Sequence, residues 1–474
     1  MANRYERLMG NTLVFAVGSF SSKLLVLLMM RYYTGILAPE QYSAADRVVT
    51  TANLLMPFVM LSINEAVIRF GMDKAERRSD VFTVGLKTVL AGFLVFLFVS
   101  PVLLFVELLS PYVALISVYV LFGMLKSVTA QFVRSIGLVR LFVIDGFIST
   151  ATTILFNILF LSMFSWGVEG YVLATVASNA VSVTGLFLIA RLWCFFKPKR
   201  KLKRLRAEML RYCVPLIPTT MFWWITNVSD RYVVTWFCGE AANGIYAVAC
   251  KLPSLLTIVS SIFYQAWQIS AVSEKDDRDA ARFYSNVYEY YSTALFLAAS
   301  GLLMLLRPIT SVLYAPAYYE SWRYAPFLVM SEVFSSLVTF LGSFYMVRKK
   351  SGTVPVAIFT GAVLNLGLNF ILIPKYGPLA AAFTTFVSYL AAFFVRAADV
   401  KRFVDLRLRF VPTAGNLFLL MTQTWLMFSE HGSSLLVQIG MFILLVLANL
   451  RPVLRLGFAL ADRLAARMGG ERAR

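Results

Sequence analysis

The feature that most constrains this chain is a succession of long apolar runs parted by short polar breaks, at about 11–32, 43–68, 81–106, 112–133, 139–164, 170–191, 212–236, 243–270, 287–306, 321–346, 353–373, 377–396, 408–429 and 435–450. A helix that crosses a bilayer needs about 20 predominantly apolar residues, so the pattern predicts an all-α polytopic membrane protein with about 14 transmembrane helices. Runs longer than the hydrocarbon requires fit tilted helices. No gap is long enough for a folded soluble domain, which places the function inside the membrane. Composition agrees: 59% of residues are hydrophobic and 15% charged, against about 45–50% and about 25% in soluble domains. An ordinary soluble enzyme is excluded.

The formal net charge of +19 would suggest nucleic acid in a soluble chain, but the positions of the basic residues give another reading. With these spans, 33 of the 44 Lys and Arg fall on one side, in the termini and in alternate loops, while the opposite loops near Glu40, Glu107, Glu169, Glu240, Ala315, Lys375 and His431 hold only Arg307 and Lys375. Cytoplasmic loops retain such residues. Both termini are therefore expected in the cytoplasm, and no nucleic-acid partner is implied. Arg4 and Arg7 precede the first run and no small-residue cleavage site follows it, so the start reads as a retained span. Cys194, Cys213, Cys238 and Cys250 show no metal-site spacing and read as free thiols buried in the membrane.

A weak internal repeat divides the chain. A shift of 200 pairs Arg31-Tyr32 with Arg231-Tyr232, Glu40 with Glu240, Val48 with Val248 and Leu55 with Leu255, and a shift of 210 pairs Gly167 with Gly377, Thr175 with Thr385 and Ser178 with Ser388. An even number of spans per repeat keeps the orientation of the second copy, which predicts a pseudo-two-fold axis along the membrane normal. The expected organisation is a six-helix bundle over 1–195, a basic linker over 196–211, a second bundle over 212–400, and two extra helices with a basic tail over 401–474. The linker run from Lys197 to Arg206 suits an anchor to anionic headgroups or a partner's recognition site.

No phosphate-binding GxxxxGK[ST] loop, HExxH or nucleophile constellation is present, and His431 is the single histidine, so neither a P-loop motor nor a metal site is expected. No cofactor is implied. Asp276, Asp277 and Asp279 alternate with Lys275 and Arg278 and read as a solvated loop. The informative residues are charges inside the spans, each costing about 2.5–3.5 kcal/mol at mid-helix unless water or a partner receives it. These are Lys23, Arg31, Asp46, Arg47, Glu65, Lys87, Lys126, Asp145, Asp230, Arg231, Lys251, Arg323 and Glu332, eight basic and five acidic. For Lys87, Lys126, Arg31 and Arg323, within reach of an interface, snorkelling or structural pairing competes with a place in a cavity. Lys23 and Lys251 lie deeper, where a water-filled cavity holding an anion competes with a structural pair, and Asp230-Arg231 reads either as a site or as an interhelical clamp. A cationic cavity suits phosphate or pyrophosphate, for which Arg is a bidentate fork and Lys a point charge. Trp223, Trp224 and Trp267 suit sugar stacking or ordinary packing, and Asn227-Val-Ser229 is a sequon without meaning inside a span.

Gly18-Ser-Phe-Ser-Ser-Lys23-Leu-Leu, Arg31-Tyr-Tyr-Thr-Gly-Ile-Leu-Ala-Pro-Glu-Gln-Tyr42, Ala45-Asp46 and Ile63-Asn-Glu65-Ala-Val-Ile-Arg69-Phe resemble the start of bacterial polysaccharide-biosynthesis flippases. The second half resembles them in Asn227-Val-Ser-Asp230-Arg231-Tyr, Gly244-Ile-Tyr246-Ala-Val-Ala-Cys-Lys251-Leu-Pro, Phe263-Tyr-Gln-Ala-Trp267 and Leu372-Ile-Pro-Lys-Tyr-Gly377. That family shares a superfamily with multidrug and toxin extruders and peptidoglycan-precursor flippases. The resemblance implies two rocking bundles, twelve core helices often with two more, and an undecaprenyl-pyrophosphate-linked oligosaccharide as cargo. Lys23, Asp46, Glu65, Asp230, Arg231 and Lys251 match positions where the family pattern often carries polar residues.

The leading expectation is thus a flippase, not an enzyme, that carries the lipid-linked oligosaccharide across the bacterial cytoplasmic membrane, with membrane lipids and polymerase and ligase machinery as partners. Its expected cargo-binding residues are Lys23, Arg31, Arg47, Asp230, Arg231, Lys251 and Arg323, with Asp46, Glu65, Asp145 and Glu332 as candidates for ion coupling. The alternative is an ion-coupled multidrug or metabolite antiporter, against which the basic excess inside the spans argues. A membrane-embedded glycosyl or acyl transferase would need an acid or base facing water, which no constellation supplies.

Overall fold

The computed structural model describes residues 25, 27–73, 76–198, 202–273, 280–347, 354–402, 404–406, 408–429 and 434–454. Lys23, His431 and the Asp276–Asp279 loop lie outside them. All regular structure among the described residues is helical, and each of the fourteen apolar runs contains helix. Among the described residues eight helices are long and apolar enough to cross a membrane, and up to ten spans result if each of two bent pairs is counted as one.

The chain forms two compact units, Met1–Val248 with Leu313–Tyr318, and Ala249–Val312 with Tyr319–Arg474. In the first, α1 covers 27–36, followed by α2 (Pro39–Val59), α3 (Ile63–Gly71), α4 (Arg78–Val99), α5 (Val113–Ser135), α6 (Val139–Asn157), α7 (Gly167–Ile189), α8 (Lys203–Cys213), α9 (Ile217–Cys238) and α10 (Glu240–Ala249). The run 43–68 is not one helix. Pro57 cannot donate to the α2 ladder, Leu61 and Ser62 take left-handed φ values of 52° and 50°, and α3 leaves at 58° to α2. α8 turns part of the expected linker into an amphipathic helix. Its Leu205, Met209 and Cys213 recur every four residues and are buried, whereas Lys203, Arg204, Arg206 and Arg211 are exposed.

The second unit holds α11 (Ser254–Ser273), α12 (Ala280–Met304), α13 (Leu306–Leu313, bent 61° from α12), α14 (Ala325–Val347), α15 (Val354–Tyr376), α16 (Pro378–Val400), α17 (Phe410–Phe428) and α18 (Leu435–Ala448). α14 and α16 pack against each other, with Phe334 on the rings of Phe386 and Phe393 and Arg396 donating to the Val338 carbonyl at 3.1 Å. Outward-facing helix surfaces stay apolar, as lipid demands: Phe98 and Phe105 are 91% and 90% exposed.

Candidate functional site: a charged seam on helices 2, 9 and 10

On α2, Ser43, Asp46, Arg47, Thr50 and Thr51 recur at helical spacing and form one polar stripe. α9 and α10 carry its partners. Arg231 Nη1 lies 2.5 Å from Asp46 Oδ2, with the side chains 11% and 6% exposed. Arg47 Nη1 lies 2.5 Å from Glu240 Oε1, and Ser43 Oγ donates to Glu240 Oε2 at 2.5 Å. Asn243 Nδ2 donates to Ser43 Oγ at 2.8 Å. Adjacent on α9, Asp230 and Arg231 serve different neighbours: Asp230 accepts the hydroxyl of buried Tyr246 and the Arg231 backbone N–H at 2.9 Å, while the Arg231 guanidinium reaches α2. Thr51 Oγ1 and Tyr232 Oη lie 2.6 Å apart, and Trp224 Nε1 donates to the Thr50 carbonyl at 3.1 Å.

Gly244 lets these helices meet. A Cβ there would stand 1.9 Å from the Pro39 carbonyl oxygen, so a side chain would push α10 off the start of α2. The positions of Ser43 and Asn243 differ by 200, the same offset as the sequence repeat.

The seam contains Asp46, Asp230 and Glu240 against Arg47 and Arg231, a formal excess of one carboxylate. Each expected cation here faces an anion. Charges taken out of water need such partners, since leaving one alone costs several kcal/mol. Compensation is incomplete at Arg47, which is 5% exposed and whose buried Nε has no hydrogen-bond partner among the described residues.

The other expected residues stand on other elements. Arg31 donates to the Tyr314 carbonyl and is exposed. Glu65 is an exposed residue on α3 at a cavity of about 380 Å³ that also includes Asn53, Ser62, Asn64 and Ser127. Lys126 Nζ donates to Ser149 Oγ and, at 3.1 Å, to Asn179 Oδ1, beside Asp145, which accepts Ser182 Oγ at 2.6 Å. In the second unit, Lys251 lies in the turn between α10 and α11, and Glu332 accepts Thr257 Oγ1 at 3.0 Å. Arg323, expected within a span, precedes α14 on a short 3-10 helix opened by Pro316, 56% exposed and paired with Glu320 at 2.6 Å. Trp267 packs among Phe340, Phe344 and Tyr284 and donates Nε1 to Ser343 Oγ at 2.8 Å, an arrangement of core packing. Of the thiols, Cys213 is buried and Cys194 exposed.

Ser43, Glu240, Asn243 and Tyr246 were not among the expected site residues. The polar positions 43, 46, 47 and 50 at helical spacing were a readable sign of the α2 stripe. Glu240 read as a loop residue, whereas it opens α10, where a carboxylate suits the positive end of the helix dipole.

The seam belongs to a polytopic helical chain of the membrane-protein class, and the comparisons specify the fold. The lipid II flippase MurJ in an inward closed conformation is 17% identical, with a TM-score of 0.71 over 94% of this chain and 99% of that one. An inward-facing multidrug resistance MATE family transporter of the MOP superfamily is 13% identical, with a TM-score of 0.65 over 82% and 98%. A MOP superfamily transporter from Pyrococcus furiosus Vc1, for which a reversed polarity of the binding pocket suggests a different function, is 13% identical, with a TM-score of 0.56 over 82% and 94%. These likenesses give the two-bundle fold. No curated protein matches the chain. The chain belongs to the polysaccharide biosynthesis protein family, which it matches over residues 8–269.

Proposed function

We propose that this transporter moves undecaprenyl-pyrophosphate-linked oligosaccharide from the cytoplasmic to the outer leaflet by alternating access, for cell-surface polysaccharide synthesis. Family membership supports the pathway. The observation that carries the assignment of cargo to the seam is the buried guanidinium of Arg47, one of whose donors is unsatisfied. A diphosphate oxygen would supply the missing acceptor, and charge-assisted bonds of this kind are about twice as strong as neutral ones. Arg47 and Arg231 then exchange Glu240 and Asp46 for cargo, and a displaced carboxylate is free to take up a proton. Lys23, Arg31, Lys251 and Arg323 are assigned to the path of the diphosphate and glycan, and Glu65, Asp145 and Glu332 with Asp46 to ion coupling. The moving bodies are the halves 1–195 and 212–400, joined through 196–211, with 401–474 peripheral. The chain sits in the bacterial cytoplasmic membrane with both termini inside and hands its product to polymerase and ligase machinery.

The carboxylate excess favours a second reading, an ion-coupled multidrug or metabolite antiporter; a multidrug resistance MATE family transporter shares the fold. Proteoliposomes separate the two. Outward movement of a fluorescent undecaprenyl-pyrophosphate-linked oligosaccharide, lost in Arg231→Ala and Lys251→Ala at matched incorporation, supports the flippase. Movement of a cationic dye but of no lipid-linked glycan under any imposed gradient refutes it.

A further inference from the structure

A second charged feature lies wholly in the second unit. A cavity of about 480 Å³ opens among α12, α17 and the end of α18, lined among others by Glu289, Arg409, Asn416, Asn449 and Arg451. Asn416 and Asn449 close its floor with a reciprocal amide pair at 3.1 and 2.7 Å. The amides are thereby engaged with each other, and the charged groups of the lining are Glu289, Arg409 and Arg451. Arg409 Nη1 holds Glu289 Oε1 at 2.7 Å, with the arginine 58% exposed, and Arg451 is also exposed. The lining carries one carboxylate and two guanidinium groups, a formal charge of +1. Beside it the surface turns apolar: Leu447 and Leu450 line the rim at 57% and 43% exposure, and Val411 is 84% exposed.

We propose that this cavity binds the phosphodiester headgroup of a resident anionic phospholipid, with Arg409 and Arg451 on the phosphate and the acyl chains over Leu447, Leu450 and Val411. Basic pockets between membrane helices at the headgroup level bind anionic lipids in this way. The charge selects among lipids, because a pocket of +1 is neutralised by one phosphodiester and overfilled by the doubly charged diphosphate of the proposed cargo. Placing the lipid in the cytoplasmic leaflet rests on the topology proposed above; the binding itself does not.

The test is native mass spectrometry of the full chain in neutral detergent, titrated with phosphatidylglycerol or phosphatidylcholine. The expected result is retention of phosphatidylglycerol in preference to phosphatidylcholine, with affinity falling about fivefold in Arg451→Gln and in Arg409→Gln. Glu289→Gln should instead raise it, a sign that a misfolded variant would not give, and Trp425→Phe on the exposed face of α17 should leave it unchanged. Equal retention of the two lipids, or an unaltered preference in Arg451→Gln, overturns the proposal. Displacement by millimolar inorganic phosphate would make free phosphate the ligand, and displacement by stoichiometric undecaprenyl diphosphate would make the cavity a cargo station; either outcome overturns the resident lipid. The readout needs no transport, so it stands or falls independently of the flippase assay.

Discussion

Replacing Asp46 by Asn removes one charge from the best-buried ion pair of the seam while keeping its shape. Arg231 is then left with its Nη1 2.5 Å from a neutral amide, at 11% exposure, so water cannot restore the lost attraction. Breaking a buried pair from one side costs about 3–5 kcal/mol, mostly because the remaining charge is stranded. Arg231→Gln should cost a similar amount, since it takes the guanidinium away from Asp46, which is 6% exposed. The double variant should cost much less than the sum, because both desolvated charges are gone. The assay is a double-mutant cycle on reversible unfolding in mixed micelles, with coupling expected at about 1–3 kcal/mol or more. Single variants that each cost under about 1 kcal/mol and add without coupling would refute the reasoning, showing that water reaches the pair and screens it.

Gly244→Ala should destabilise by about 1–3 kcal/mol, the range for forcing atoms into a packed contact, because its Cβ would meet the Pro39 carbonyl at 1.9 Å; a wild-type unfolding midpoint would count against close α2–α10 packing. Ser343→Ala should cost about 1–3 kcal/mol by leaving the indole N–H of Trp267 unsatisfied, and Trp267→Phe/Ser343→Ala should recover part of that loss in the same measurement. Single cysteines at Glu40 and Lys203 should react with an impermeant maleimide from opposite sides of inverted and right-side-out vesicles; labelling from one side would reject the topology.

The fold was legible because a bilayer leaves so few choices: long apolar runs must become helices, and the described residues place helix in every run. What did not read out were interruptions within runs. Pro57 marked one, but the left-handed turn at Leu61-Ser62 depends on how α3 packs against α4, α5 and α8, which no local pattern encodes. The Arg323 position was misplaced for a similar reason, since Pro316 starts a short helix that uses residues counted into the following span. At the seam, residue types were legible and pairings were not. Asp46 and Arg231 are 185 positions apart, and composition alone reported a basic excess that dissolves locally once Glu240, which read as a loop residue, turns toward Arg47.

The bend between α2 and α3 bears on how the protein senses its solvent. α2 has 21 residues, and at 1.5 Å each it measures about 31 Å, the thickness of a typical hydrocarbon core. Its length suffices, but with Glu40, Asp46 and Arg47 in it α2 is apolar enough to count as a span only together with α3. α3, with Glu65 and Arg69 exposed and Ile63, Ala66 and Val67 buried, together with α8 packed against it, suits the headgroup layer. A thinner or thicker bilayer would raise or lower that two-helix raft against the fixed length of α2. A change in bilayer thickness is therefore expected to load the bend at one end of the helix that carries Asp46 and Arg47.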